Sequence, residues 1–140
     1  MERWVIYAAI SMLFAGMTAV IAKHGLDGIS GELGLTVRTV FVALFVFGFA
    51  AWAVSRDQFA AITRYHLLWL GLSGLTTAAS WVFYYKALKE GEVSTVALID
   101  KGSFLVAVVL AWLLLGERIT WRTATGCIFV ATGLLIVARR

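Results

Sequence analysis

Apolar residues run along this chain in five long blocks separated by short polar breaks: Trp4–Ala22, Leu35–Val54, Leu67–Leu88, Val93–Leu115 and Ile119–Ala138. A helix of about 20 residues crosses the roughly 30 Å hydrocarbon layer of a bilayer, so each block predicts one transmembrane helix. None of the blocks alternates apolar and polar residues, as the strand of a membrane barrel would. The pattern predicts an all-α membrane protein with five transmembrane helices in a single domain over residues 1–140. The first block is uncharged and longer than a signal-peptide core, and no small-x-small site precedes Lys23, so it reads as a span. Lys23–Gly34, with Gly25, Gly28, Gly31 and Gly34, reads as a flexible external turn. Ser55–His66 has room for an interfacial stretch around Phe59–Ile62, while Lys89–Glu92 and Gly116–Arg118 read as tight turns that make spans three to five antiparallel neighbours. The chain contains no proline, so any break inside a span has to come from glycine or polar side chains.

Composition agrees with that class: 61% of the residues are hydrophobic and 14% charged, where a soluble domain carries about 25% charged residues. The net charge of +4 is dispersed over loop edges and the C-terminus. That distribution suits lipid headgroups and gives no stripe for a nucleic acid. Cys127 is the single cysteine, which excludes an intrachain disulfide, and no Cys/His pattern calls for a metal. There is no Gly-rich phosphate loop and no Ser-His-Asp set, so neither an enzyme nor a cofactor is expected. His24 and His66 sit at loop edges, where a solvated histidine is the expectation.

Five spans put the two termini on opposite sides of the membrane. Arg3, Arg56, Arg64, Arg118 and Arg122 then lie on one side; Lys23, Arg38, Lys86, Lys89, Arg139 and Arg140 lie on the other. Orientation follows the side richer in Lys and Arg near the span ends, and here neither side dominates. One reading is dual topology, with copies inserted both ways and paired antiparallel. The other is a fixed orientation in which Arg38 and Lys86 lie too deep to count.

The polar residues inside the spans are the candidate chemistry, because ionisable groups at membrane depth are expensive and usually face a bundle interior or a water-filled path. Asp100 and Lys101 stand side by side in span four, about 22 Å from Leu115 along a helix rising 1.5 Å per residue. Adjacent positions differ by about 100° around a helix, so the two are expected to face different neighbours. Asp100 is read either as a coupling carboxylate or as a structural partner of Arg38 or Lys86. Arg38 lies one turn into span two and Lys86 near the end of span three, and their positive excess suits an anionic or zwitterionic solute or a lipid headgroup. Two polar-aromatic stripes at helical spacing accompany them. Tyr7, Ser11, Phe14 and Thr18 share a face of span one. Ser73, Thr77, Ser80 and Tyr84 share a face of span three, with Trp81 and Tyr85 beside it. Such faces line a solute pocket or serve interhelical hydrogen bonding. The expected substrate-binding set is Tyr7, Ser11, Arg38, Thr77, Trp81, Tyr84, Lys86, Asp100, Lys101 and Ser103. Gly71 and Gly74 mark close helix contacts. Gly126 and Gly133 mark a packing seam, either within the chain or between two copies.

The stretch Trp81-Val82-Phe83-Tyr84-Tyr85-Lys86-Ala87-Leu88, then Gly91-Glu92-Val93-Ser94, then Leu115-Gly116-Glu117-Arg118-Ile119, together with Arg38, Gly126 and Gly133, resembles the EamA domain of the drug/metabolite transporter superfamily. The resemblance covers essentially the whole chain. Members usually carry two such repeats in ten spans, the second inverted; this chain has one. Ile99-Asp100-Lys101 departs from the common pattern, which has a proline near this point, and looks like the short single-repeat members. The last span also resembles the dimer-forming helix of small multidrug resistance proteins. Their membrane glutamate in span one is missing here, so proton-coupled cation export by that scheme is not implied. The resemblance implies alternating access and a small-molecule solute, with an antiparallel homodimer, or a paralogue partner, rebuilding ten spans. The resulting expectation is a secondary carrier of small metabolites in the cell membrane, acting as an exporter. A flippase subunit for a lipid-linked headgroup and a non-transporting membrane assembly subunit are the alternatives.

Overall fold

The computed structural model describes residues 2–138; Arg139 and Arg140, used in the charge count above, lie outside the described residues. The described chain is helical throughout: α1 (Arg3–Gly25), α2 (Gly31–Ala53), α3 (Arg56–Ala60), α4 (Arg64–Glu90), α5 (Val93–Asp100), α6 (Ser103–Leu115) and α7 (Trp121–Ala138). Five stretches are long and apolar enough to cross a bilayer: α1, α2, α4, the α5–α6 stretch Val93–Leu115, and α7. The expected five-span, all-α class is therefore what the chain adopts. Between α2 and α4 lies the short helix α3, whose N-terminus is closed by the Ser55 N–H donating to Gln58 Oε1 at 3.0 Å.

Helix starts follow the polar punctuation of the sequence. Ser30 Oγ accepts from the Leu33 N–H at 3.2 Å to cap α2. At the start of α4 the cap is reciprocal: the His66 N–H donates to Thr63 Oγ1 and the Thr63 N–H donates to His66 Nδ1. Thr120 Oγ1 accepts from the Thr123 N–H before α7. These side chains satisfy amide donors that a helix's first turn leaves without a partner. Gly116, in the left-handed conformation at φ 67°, stops α6.

The chain divides into two compact units, one made of residues up to Val20 with those from Gly91 onward, the other of Ile21–Glu90. In the second unit α2 packs against α4, and the register is antiparallel because Glu32 meets Lys86 while Arg38, deeper in α2, meets Trp81. A Cβ on Gly31 would lie 2.9 Å from the Tyr85 carbonyl oxygen, so glycine is what lets the first turn of α2 seat on the α4 backbone. This corrects the expectation for Lys23–Gly34. Only the five residues between α1 and α2 lie outside helix, and Gly31 is buried. The same end is tied by two crossed lysines. Lys23 Nζ donates to the carbonyls of Leu88 (2.6 Å) and Lys89 (3.2 Å), and Lys89 Nζ donates to the carbonyl of Leu26 (2.9 Å). Each ammonium sits on the negative C-terminal end of the other helix, where carbonyls lack intrahelical partners. Leu26 and Leu88 are fully enclosed beneath the pair.

In the first unit α5 packs against α7. A continuous helix was expected for Val93–Leu115, but it is interrupted at Lys101–Gly102, where the hydrogen bonds shorten to Gly102 N–H→Ile99 O, Phe104 N–H→Lys101 O and Leu105 N–H→Gly102 O. A Cβ on Gly102 would lie 3.0 Å from both the Ile99 carbonyl oxygen and Leu134 Cδ1 of α7. With no proline in the chain, glycine beside two charged residues makes the break. Gly71 and Gly74, expected at close contacts, look onto open space.

Among the described residues the buried apolar side chains are Ala19 in the first unit and Leu26, Tyr85 and Leu88 in the second, while Phe45, Phe47, Trp52, Trp121 and Phe129 are among many large apolar side chains on the outside. For helices of this length and hydropathy the natural cover is lipid, since helices satisfy their own backbone groups and present side chains to the hydrocarbon.

Candidate functional site

In the second unit, Leu35, Arg38 and Val42 recur at helical spacing on α2 and are all half-buried. That stripe faces α4. Arg38 sits seven residues after Gly31, about 10 Å along the helix from its start. Its guanidinium carbon lies 4.3 Å from the centre of the Trp81 ring and 5.7 Å from that of Tyr85. Trp81 and Tyr85 are four residues apart and so share one face of α4. Tyr84 stands beside them, its ring edge-on to Tyr85 at 6.3 Å. A guanidinium over an aromatic face gains about 0.5–2 kcal/mol, the more so where water is thin. Among the described residues no carboxylate lies within ion-pair distance of Arg38. The indole thus holds the arginine by its flat face and leaves its charge without a counter-ion.

The sequence grouped Lys86 with Arg38 as a solute anchor. Here Lys86 Nζ lies 3.5 Å from Glu32 Oε1 in an exposed pair, so its charge is already matched. Tyr85, set beside the α4 stripe but left out of the expected binding set, is buried against this cluster. Its place four residues after Trp81 was the available signal. Glu32 was missed because the segment holding it read as a turn. Thr77, one turn before Trp81, donates its hydroxyl to the Ser73 carbonyl at 2.8 Å and keeps its oxygen lone pairs open as acceptors.

In the first unit, Asp100 Oδ2 and Lys101 Nζ lie 3.8 Å apart. The expectation that they face different neighbours is corrected: the helix ends at Asp100, Lys101 is its cap residue, and the flexible lysine stem turns back onto the carboxylate. Ser103 is the first residue of α6, on the far side of the break. Tyr7 and Ser11 lie exposed in the first half of α1. Gly126 and Gly133 of α7 look onto open space, so neither is a close-contact point within the chain. No group of three His, Cys, Asp or Glu able to hold a metal occurs among the described residues.

Five stretches of membrane-spanning length, one of them interrupted, with a cation held against aromatic rings in such a helix, define a polytopic membrane protein. The EamA-like transporter family matches residues 2–139, and the chain belongs to that family. It is also 34% identical over 137 residues to a protein from Sinorhizobium sp. described as an uncharacterized transporter in the cobO 3' region, with 98% of this chain and 97% of that protein covered. No solved structure matches the chain. Family and relative together point to a membrane transporter rather than an enzyme.

Proposed function

We propose that the chain is a secondary carrier of small metabolites in the cytoplasmic membrane, an exporter working by alternating access as an antiparallel homodimer. The observation that carries this reading is Arg38: a permanently charged group, about 10 Å down its helix, held by Trp81 and left without a counter-ion. A charge inside an apolar span is costly unless something pairs with it, and a transient anionic or zwitterionic solute supplies that pairing. In this reading Arg38 is the anchor. Trp81, Tyr84 and Thr77 line the path, and Lys86 sits at its rim. Asp100, Lys101 and Ser103 at the break in span four are where the carrier bends and where a proton can be taken up. Carriers commonly place irregular backbone and charge in interrupted spans, at the interface of inverted repeats.

The dimer rests on separate support. One family-length repeat of five spans needs a second copy to rebuild ten. The Lys and Arg count favours neither orientation. Gly126 and Gly133, two turns apart and open, offer a seam for close helix approach.

The test is purified protein in proteoliposomes, assayed for counterflow of a labelled panel of amino acids, organic acids, sugars and amines. Movement of at least one class above empty liposomes, lost in Arg38→Gln, is expected; no movement of any class would defeat the carrier reading. Paired C-terminal reporters active on opposite sides should both give signal, and signal from one side alone would exclude the antiparallel homodimer.

A further inference from the structure

The geometry points to a carboxylate monoanion on an apolar body as the ligand of Arg38, a deepening that rests on the carrier reading above. Three features of the α2–α4 pair carry it. The first is the direction from which Arg38 can be reached. With the guanidinium carbon 4.3 Å over the Trp81 ring, the indole covers one side of the group, and the N–H donors on its other sides remain to offer. An edge presents two parallel donors, which match the two oxygens of a coplanar carboxylate. The second is charge. Lys86 and Glu32 match each other at 3.5 Å, which leaves Arg38 as the single unmatched charge of this cluster. One bound negative charge neutralises it, whereas a doubly charged phosphate would leave an uncompensated anion among aromatic rings. The third is the wall. The neighbours of Arg38 on its own face are Leu35 and Val42, and those of Trp81 are Thr77, Ala78, Tyr84 and Tyr85, which together offer mostly aliphatic and ring surface with the hydroxyls of Thr77 and the two tyrosines. That surface has too few polar groups to solvate a polyhydroxylated or polyphosphorylated body, and an apolar body would gain by entering it.

The arrangement also assigns Trp81 a separate role. It does not pair with the charge of the ligand; by covering one side of the guanidinium it limits the directions from which a ligand reaches the N–H fork. Lysine at position 38 would keep the charge and lose the fork, so charge and geometry can be tested apart.

The experiment uses the purified full chain in detergent and three fluorinated probes that share one ring: 4-fluorobenzoate, 4-fluorophenyl phosphate and 4-fluorobenzylamine, followed by ¹⁹F line broadening and titration. Binding of 4-fluorobenzoate in preference to the other two is expected, weakened about 10- to 100-fold by Arg38→Gln, the range for loss of a charge-assisted pair. Arg38→Lys should weaken it about 10-fold while leaving the thermal midpoint where it was, which separates a lost fork from a lost fold. Preference for the phosphate or the amine, an affinity for benzoate that Arg38→Gln leaves unchanged, or no binding of benzoate at all would each overturn the assignment. The proteoliposome panel keeps that failure distinct: transport of sugars or amines alongside absent benzoate binding would leave a carrier whose ligand is not a carboxylate.

Discussion

Arg38 and the Asp100–Lys101 pair are two solutions to one problem, an ionised side chain inside an apolar span, and they differ in what each leaves available. At α2–α4 the charge is held by rings, and among the described residues no carboxylate lies within ion-pair distance of it. At the α5–α6 break two opposite charges lie 3.8 Å apart and match each other. Aromatic contact steadies a cation without cancelling it, whereas an ion pair cancels both members. In the proposed carrier the first arrangement is the one that receives the solute. The second is a matched pair at a helix break, and in the proposed carrier it is the coupling element.

The largest effect should come from removing the uncancelled charge. Arg38→Gln is expected to lower the transport rate by about 10- to 100-fold at fixed solute concentration, with Trp81→Ala intermediate. Proteoliposome flux measures both. Equal flux in wild type and Arg38→Gln would erase the contrast between the two regions. Asp100→Asn should act differently, abolishing the dependence of flux on an imposed pH gradient while the purified protein keeps its helical circular-dichroism spectrum. A pH dependence that survives in Asp100→Asn would reduce the pair at the break to a structural role.

The next effect is on the scaffold that brings α2 to α4. A side chain at Gly31 would run into the Tyr85 carbonyl region, so Gly31→Leu should destabilise the protein by about 1–3 kcal/mol, the usual cost of overpacking. Gly71→Leu, where a Cβ meets nothing, should leave the thermal midpoint in detergent almost unmoved. Similar losses at the two positions would mean that the close approach at Gly31 is not what aligns Arg38 with Trp81. Beside it, the crossed lysines should show coupling. Lys23→Met and Lys89→Met each strip hydrogen bonds from the end of a neighbouring helix, at about 1.5–3 kcal/mol apiece, and the double variant should cost less than the sum because both serve one junction.

What was readable in the sequence follows the same division. The five spans were legible because lipid imposes length and hydropathy on each block independently, and the block edges fall within a few residues of the observed helices. Arg38, Trp81 and Thr77 were legible as candidates because an ionisable or polar group at membrane depth stands out against its surroundings. What could not be read was pairing between segments. Gly31 and Gly34 looked like turn residues because composition does not reveal that the Tyr85 backbone comes within contact of the first and the Leu26 side chain within contact of the second. The break at Gly102 was hidden for a related reason: an isolated glycine in an apolar run is compatible with an unbroken helix, and Leu134 of α7 packed beside it is a tertiary fact. Lys86 and Glu32 were separated by most of two spans, and only the antiparallel register of α2 and α4 brings them together.

That ion pair supplies the smallest expected effect and a sharp check on the whole comparison. Lys86 and Glu32 are both more than half exposed, and exposed pairs contribute about 0–1 kcal/mol. Glu32→Gln should therefore shift the thermal midpoint little, and Lys86→Gln should lower flux far less than Arg38→Gln does. The informative quantity is the order of the two flux losses. If Lys86→Gln proves as damaging as Arg38→Gln, the solute is read by two cations and Glu32 serves as a gate that must let go of Lys86 first. In that case Glu32→Gln would speed transport at low solute concentration. If Lys86→Gln is mild and Glu32→Gln is neutral, the pair is a rim ornament of the helix junction, and the single charge that Trp81 holds without cancelling is the one the solute meets.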